Sequence, residues 1–503
     1  MKNRTNLIAA LALVAAACGD NNGSAPSDAA NRPDAASVAD ATEPTPDAAT
    51  TPDAAPAAPT NVIFFLGDGM GVSTITAARI YAYGEDGELT MDTLPETGWV
   101  RTYSHDALVT DSAPSMAAYM TGVKMNNEVI SMSADTIAIP PDATLTVNNC
   151  ATQGANGTPV ATFLEQARAA GRATGVVTTT RVTHATPAAT YAHICHRDLE
   201  NDIAAQVVPG GAGYNAALGT GLDVLFGGGR RHFLPTTTSG GKRTDGRDLV
   251  AELKADGYAY ASNTTTFNAI DAATTDKAVG LFTASHMTYD LDRDPGSEPS
   301  LAEMTTKAMD ILGKKPQGYF LMVEGGRIDH ALHETNARRA LGEAVAFDNA
   351  IAAAIAKAKL TDPTLAHTLI IVTADHDHTL VLNGYAKRTG KTTATNPGVL
   401  GLVKNVTTGN PDLDADGVPY SILGFGNGEN RVAGLRSSVA NLDDATTGAL
   451  AYHQEAGVRM PVGGETHGGT DVAVMAIGKG ADLVHGFMTN TAIFTILHQA
   501  AGF

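Results

Sequence analysis

The chain has 503 residues, with 34 Lys and Arg against 53 Asp and Glu, giving a formal net charge of −19 at pH 7. That balance argues against nucleic acid or an anionic membrane face as partner, and it leaves solubility and attraction of cations as what the charge accounts for. With 43% hydrophobic residues the chain can bury a large core.

The chain opens on Lys2 and Arg4, then an apolar stretch from Leu7 to Ala17 that is too short to span a bilayer, then Ala15-Ala16-Ala17-Cys18. Small residues before a lone cysteine resemble a lipobox. The reading is a lipoprotein signal peptide over 1–17 with Cys18 lipidated, which places the protein as an exported bacterial lipoprotein, outer membrane anchored, periplasmic or at the cell surface. Residues 18–59 are Ala, Pro, Asp, Thr and Ser with hardly an aliphatic larger than Val38, so they cannot offset the entropy of ordering and read as a disordered tether. No later apolar segment is long enough to cross a membrane.

From Thr60 onward the pattern alternates. A β-branched and aromatic run, Asn61 to Leu66, ends on Gly67-Asp68-Gly69-Met70-Gly71, and a helix is expected over Ser73 to Tyr83. Thr110-Asp111-Ser112-Ala113-Pro114 opens a second helix that closes at Gly122, with Pro114 in the first turn where its missing N–H costs nothing. A helix over Pro159 to Ala170, a strand over Thr174 to Thr180, a helix over Leu301 to Leu312, a strand over Tyr319 to Val323, a helix over His330 to Lys359 and a strand over Leu369 to Thr373 follow, with a further strand at Val472 to Ile477. Strand–helix alternation of this kind predicts a three-layer α/β/α sandwich with a central mostly parallel sheet. Stretches near 231–279 and 386–462 are Gly/Thr/Asp-rich and read as insertions on that sheet. Within the second, Asp412, Asp414 and Asp416 resemble the start of a calcium loop, but Leu423 stands where the loop needs glutamate, so an acidic surface turn is expected. Whether Cys150 and Cys195 pair is open, because spacing cannot show that their Cα atoms approach.

Three of the apolar runs stop on metal-ligand chemistry: Asp68 after the first, Glu324 and Asp329 after the Tyr319 run, Asp375, His376 and His378 after the Leu369 run. Ligands of open α/β sheets bind beyond the carboxyl ends of the strands, so these acids and histidines predict a polynuclear metal site. Asp329 and His333, four apart on a helix, can chelate one ion, with His467 in a glycine-flanked loop as third ligand, a set suited to zinc. Asp68, Asp375 and His376 make a second such set. Asp68, Thr186 and Glu324 are hard oxygen donors suited to magnesium. Ser112 at a helix start is placed to meet a phosphate drawn to free N–H groups, and Arg197 can hold two phosphoryl oxygens in its planar fork.

The segments Gly67-Asp68-Gly69-Met70-Gly71, Thr110-Asp111-Ser112-Ala113, Val177 through Pro187, Val323 through His330, Thr373-Ala374-Asp375-His376 and Glu465-Thr466-His467-Gly468-Gly469 together resemble the alkaline phosphatase family over Thr60 to Phe503. The resemblance implies a metal-dependent phosphomonoesterase acting on small phosphate monoesters through a phosphoserine at Ser112, with two Zn2+ and one Mg2+, as a homodimer with a crown-like insertion. It implies that Asp329, His333 and His467 hold one zinc, that Asp68, Asp375 and His376 hold the other about 4 Å away, and that Asp68, Thr186 and Glu324 hold magnesium. It further implies that Arg197 clamps the phosphate, oriented by Asp111, and that His184 and His330 act through water; His378 receives no role. Enterobacterial members have Asp and Lys at the positions of His184 and His330, so the chain is closer to the animal and some marine bacterial pattern. Thr283 after Leu281-Phe282 replaces the acid that begins the animal calcium site, which is therefore not expected. A sulfatase is disfavoured, because Met116 stands where that chemistry needs arginine.

Overall fold

The computed structural model describes residues 60–142, 148, 150–151, 154–439 and 442–503. The leader, the tether and Cys18 lie outside the described residues. In chain order the strands are β1 Asn61–Gly67, β2 Glu96–Arg101, β3 Ala173–Arg181, β4 Val224–Gly228, β5 Ala259–Ala261, β6 Ala278–Leu281, β7 Tyr319–Gly325, β8 Thr368–Thr373, β9 Asp377–His378, β10 Leu380–Leu382, β11 Leu423–Gly428, β12 Ala456–Arg459, β13 His467–Gly468, β14 Val472–Gly478 and β15 Gly486–Thr489. Ten of them form one sheet in the order β15-β2-β14-β8-β1-β7-β3-β4-β6-β5. Every pairing in it is parallel except those of β14, which runs antiparallel to both β8 and β2.

The three central strands are apolar on both faces because both faces are covered. Val62 to Leu66, Phe320 to Val323 and Leu369 to Val372 are fully buried, and each such side chain contributes roughly 1.5–3 kcal/mol by leaving water. Helices Val72–Tyr83 and Leu301–Leu312 pack against Ala337–Thr361, and a second group, Ser112–Thr121, Phe163–Ala169 and Asn490–Ala501, packs together. In register, Leu66 lies beside Glu324 on one side and Thr373 on the other. Asp68, Glu324 and Asp375 therefore leave the sheet at one end.

Several expected boundaries shift for local reasons. The helix expected from Pro159 begins at Phe163, because Thr162 and Glu165 form a reciprocal capping box there. The helix expected over His330 to Lys359 is two, Arg327–His333 and Ala337–Thr361. Between them Thr335 has φ +51°, and the Asn336 side chain accepts from the Arg339 N–H, restarting the helix. The stretch near 231–279 is not an insertion laid on the sheet: β5 and β6 within it and just after it build the sheet's edge. Near 386–462, β11 and β12 join β10 in a separate three-stranded sheet. The Asp412–Asp416 segment is an acidic turn, in which Asp414 accepts from the Asp416 and Val418 N–H groups and pairs with Arg436, which also grips Glu455 at 2.6 Å. Cys150 and Cys195 are joined as a disulfide. No helix among the described residues is long and apolar enough to cross a membrane.

Candidate metal and phosphate site

Each ligand-bearing side chain is set by a chain element that ends at the same rim. After β1, Gly69 turns with φ +66°, and a Cβ there would lie 2.5 Å from the His378 ring, so only glycine fits. Its N–H donates to Asp375 Oδ1 at 3.0 Å, tying the Asp68 turn to the end of β8. Asp329 and His333 share one face of the helix that follows β7. His467 arrives on β13, which pairs antiparallel with β9 so that His467 faces His378.

Two groups of these side chains come close together. Asp329 Oδ1 lies 3.3 Å from His333 Nε2 and 3.5 Å from His467 Nε2, and the two imidazole nitrogens are 3.2 Å apart. His376 Nε2 lies 3.3 Å from Asp68 Oδ1 and 3.4 Å from Asp375 Oδ2. In all three of these histidines Nδ1 faces a backbone carbonyl: that of Glu465 for His333, Asp377 for His376 and Thr110 for His467. That arrangement fixes the tautomer and leaves Nε2 free to ligate. Asp68 Oδ2, Asp375 Oδ2, Glu324 Oε1 and Thr186 Oγ1 are buried with no hydrogen-bond partner. Each would cost about 1–3 kcal/mol if left so. Cations shared among them remove that cost, so the residues present fit the metals the donor sets call for. The sets Asp68, Asp375, His376 and Asp68, His184, Glu324 each bring their ligand atoms within 4.8 Å of one another.

Without metal, so much buried acid is unfavourable. Burial raises Asp68 well above the usual carboxylate range, helped by the charges of Asp329 and Glu324, pushes Asp375 up to about 8 and lifts Glu324 to about 7. Carboxylates raised in this way hold protons in the folded state that the unfolded chain sheds near pH 4. The contribution of these three carboxylates to metal-free stability is therefore expected to fall as pH rises from about 4 to about 8. Melting temperatures of chelated parent and Asp375→Asn protein at pH 5.5 and 8 check this: the substitution should raise the melting temperature more at pH 8 than at pH 5.5, and an equal or smaller gain at pH 8 contradicts it.

Next to these sets lie Ser112 and Arg197. Asp111, not Ser112, caps the helix Ser112–Thr121 by accepting from the Ala113 N–H at 2.8 Å. The Ser112 hydroxyl is thereby left facing Asp68 Oδ1 at 3.4 Å and His376 Nε2 at 3.3 Å. Asp111 also takes Arg197 at 2.9 Å, and Arg197 reaches His184 Nε2 at 3.1 Å. His184 packs against His330, with ring centres 5.4 Å apart, and burial holds His330 down at about 3.

The structure places His378, left without a role by the sequence, and adds His286, which no motif marked. His378 lies between Asp329, 2.8 Å from Nε2, and Glu465, 2.5 Å from Nδ1. Although burial alone would lower it, Glu465 and Asp329 raise His378 to about 10. Its ring thus steadies the carboxylate of the first donor set. His286, in a loop with no motif around it, packs on His330 at 4.1 Å and on His184 at 5.3 Å.

A sequence profile described as "Alkaline phosphatase" matches residues 59–503. The chain belongs to the alkaline phosphatase family. It is 39% identical to the chicken tissue-nonspecific isozyme over 455 residues, 85% of this chain and 81% of that protein, and 37% identical to the Atlantic cod (Gadus morhua) alkaline phosphatase over 85% of this chain and 88% of that protein. The solved Thermus thermophilus alkaline phosphatase superposes with a TM-score of 0.62 at 26% identity, covering 89% of this chain and 92% of that one. This alkaline phosphatase is thus a metal-dependent phosphomonoester hydrolase with a mostly parallel sheet flanked by helices, as its motifs suggested. The expectation of an exported bacterial lipoprotein is overturned. Relatives from chicken, cod, rat and silkworm are animal enzymes, not bacterial lipoproteins, and a short apolar run before one cysteine is too unspecific a signal to outweigh them.

Proposed function

We propose that this alkaline phosphatase works through a phosphoserine at Ser112, with two zinc ions and one magnesium ion, and acts as a homodimer. Asp329, His333 and His467 would hold one zinc, Asp68, Asp375 and His376 the other, and Asp68, Thr186 and Glu324 the magnesium; bound there, the ions lower the pKa of a hydroxyl or water and offset phosphoryl charge. The observation that carries the reading is the placement of Ser112 Oγ, freed from capping by Asp111 and 3.3–3.4 Å from His376 and Asp68.

Ser112 Oγ would attack phosphorus in line as the bond to the leaving oxygen breaks, and water would later release phosphate from the serine. Arg197, held by Asp111, would bind two non-bridging oxygens through its fork. His184 and His330, both kept neutral by burial, would hold water beside the oxygen-donor set rather than add charge to it. The homodimer reading is supported by exposed apolar side chains in and beside the small sheet, among them Tyr385, Leu435 and Val462.

Hydrolysis of p-nitrophenyl phosphate before and after chelation tests the metals. Activity should vanish on chelation and return with Zn2+ plus Mg2+; undiminished turnover in chelated enzyme sinks the reading. Thr186→Val, which removes one donor of the oxygen set, should lower kcat/KM by about tenfold and reduce bound magnesium measured by mass spectrometry.

A further inference from the structure

Arg197 stands on a stretch without regular structure, between the helices Ala185–Ala188 and Glu200–Ala205. Its backbone rests on another irregular stretch. Ile194 and Ile130 exchange two hydrogen bonds of 3.0 Å, and the Arg197 N–H donates to the Glu128 carbonyl at 2.8 Å. Two non-glycine residues of that supporting loop are left-handed, Glu128 at φ +71° and Ser131 at φ +47°. Such conformations persist only where the surroundings over-determine them.

What holds the Arg197 stretch is gripped from a third segment. Cys195, two residues before Arg197, is bonded to Cys150. The Cys150 N–H donates to Asn148 Oδ1 at 2.9 Å, and Asn148 Nδ2 donates to Asp202 Oδ2 at 2.9 Å. Asn148 and Cys150 therefore hold residues 195–202 at both ends, with Arg197 between the two attachments. The guanidinium itself has its donors committed to Asp111 and His184 only at the tip, so its reach toward phosphate depends on where the backbone is kept.

We propose that the Cys150–Cys195 disulfide, with the Asn148–Asp202 hydrogen bond, is a staple that positions Arg197 for the phosphoryl group, making Cys150, Cys195 and Asn148 positioning residues for phosphate-ester hydrolysis. The inference rests on Arg197 being the phosphate-binding arginine. A cross-link that served stability alone would change the melting temperature without changing affinity for phosphate. A positioning cross-link changes affinity for phosphate through Arg197 and through no other residue.

The test uses full-length, metal-loaded enzyme and inorganic phosphate as the probe. Cys150→Ala/Cys195→Ala is expected to raise the inhibition constant of phosphate and the KM for p-nitrophenyl phosphate about five- to tenfold, the scale of one weakened charge-assisted contact, with kcat within about twofold and metal content unchanged. Asn148→Ala, which keeps the disulfide and removes the other attachment, should raise the same constants about twofold and keeps the test open if the cysteine variant does not fold. Combined with Arg197→Ala, the cysteine substitutions should add nothing further. Unchanged phosphate inhibition in the folded, metal-replete cysteine and Asn148 variants overturns the staple, as does an equal rise in the Arg197→Ala background. An Arg197→Ala enzyme with unaltered phosphate inhibition removes the phosphate role of Arg197 and the staple with it, so the two failures are distinguishable.

Discussion

Ser112→Ala is expected to lower kcat/KM for aryl phosphate by roughly 10^3-fold or more, while leaving the fold as stable as before to within about 0.5 kcal/mol. Both halves follow from one geometric fact. Because Asp111 satisfies the helix N-terminus, the Ser112 hydroxyl has no structural duty there, and its neighbours are Asp68 and His376. The side chain is only 2% exposed, so the substitution removes one buried oxygen and opens little space. Steady-state rates together with an acid quench after incubation with radiolabelled phosphate would check it: label should be retained by the parent enzyme and lost from Ser112→Ala. A variant that keeps most of its rate would exclude Ser112 as nucleophile.

Asp68→Asn carries the second large effect, because Asp68 belongs both to the set with Asp375 and His376 and to the set with His184 and Glu324. Its Oδ1 faces His376 and Ser112, its Oδ2 has no partner, and both are buried. An amide retains the shape but loses the charge that would offset two cations, so metal content should fall at both sets and kcat/KM by roughly 10^3-fold. Stability should move in opposite directions with and without metal. In chelated protein the substitution relieves a carboxylate that burial and its acidic neighbours oppose, so Asp68→Asn should melt higher than the parent; with metal present it should melt lower. A variant that binds metal like the parent would refute the shared role.

The strand ends were legible because two signals coincide in them. Branched and aromatic runs such as Val62 to Leu66 cannot lie at a surface, and an acid directly after such a run must sit at the rim of the sheet. Register then places Asp68, Glu324 and Asp375 side by side, as the neighbouring strands β7, β1 and β8 require. Less of the site was legible where it depends on pairing between distant segments. His378 and Glu465 meet across 87 positions because β9 and β13 happen to pair, and no local pattern announces a two-residue strand. Thr335 escaped notice because the apolar repeat runs on through the break, while the cause, a left-handed residue followed by an asparagine cap, is a matter of one turn. Cys150 and Cys195 could be matched only in the fold, because 45 positions separate them and neither lies on a regular element whose pairing would bring them together.

The reversed direction of β14 settles where the last histidine can be. A strand of seven residues spans roughly 20 Å. Had Val472–Gly478 run with its neighbours, the chain would enter it from the opposite end of the strands, and a residue five positions earlier would begin on the side away from Asp68 and Asp375. Running against β8, it is entered at the rim where Thr373 pairs with Val474, so the approach itself delivers His467 opposite His378 and beside Asp329. One polarity choice in the sheet thus does what a long crossover loop would otherwise have to do. It predicts that circular permutation or insertion within residues 468–471 is tolerated poorly, because that short approach positions His467, proposed above to hold a zinc, and has no slack to lend.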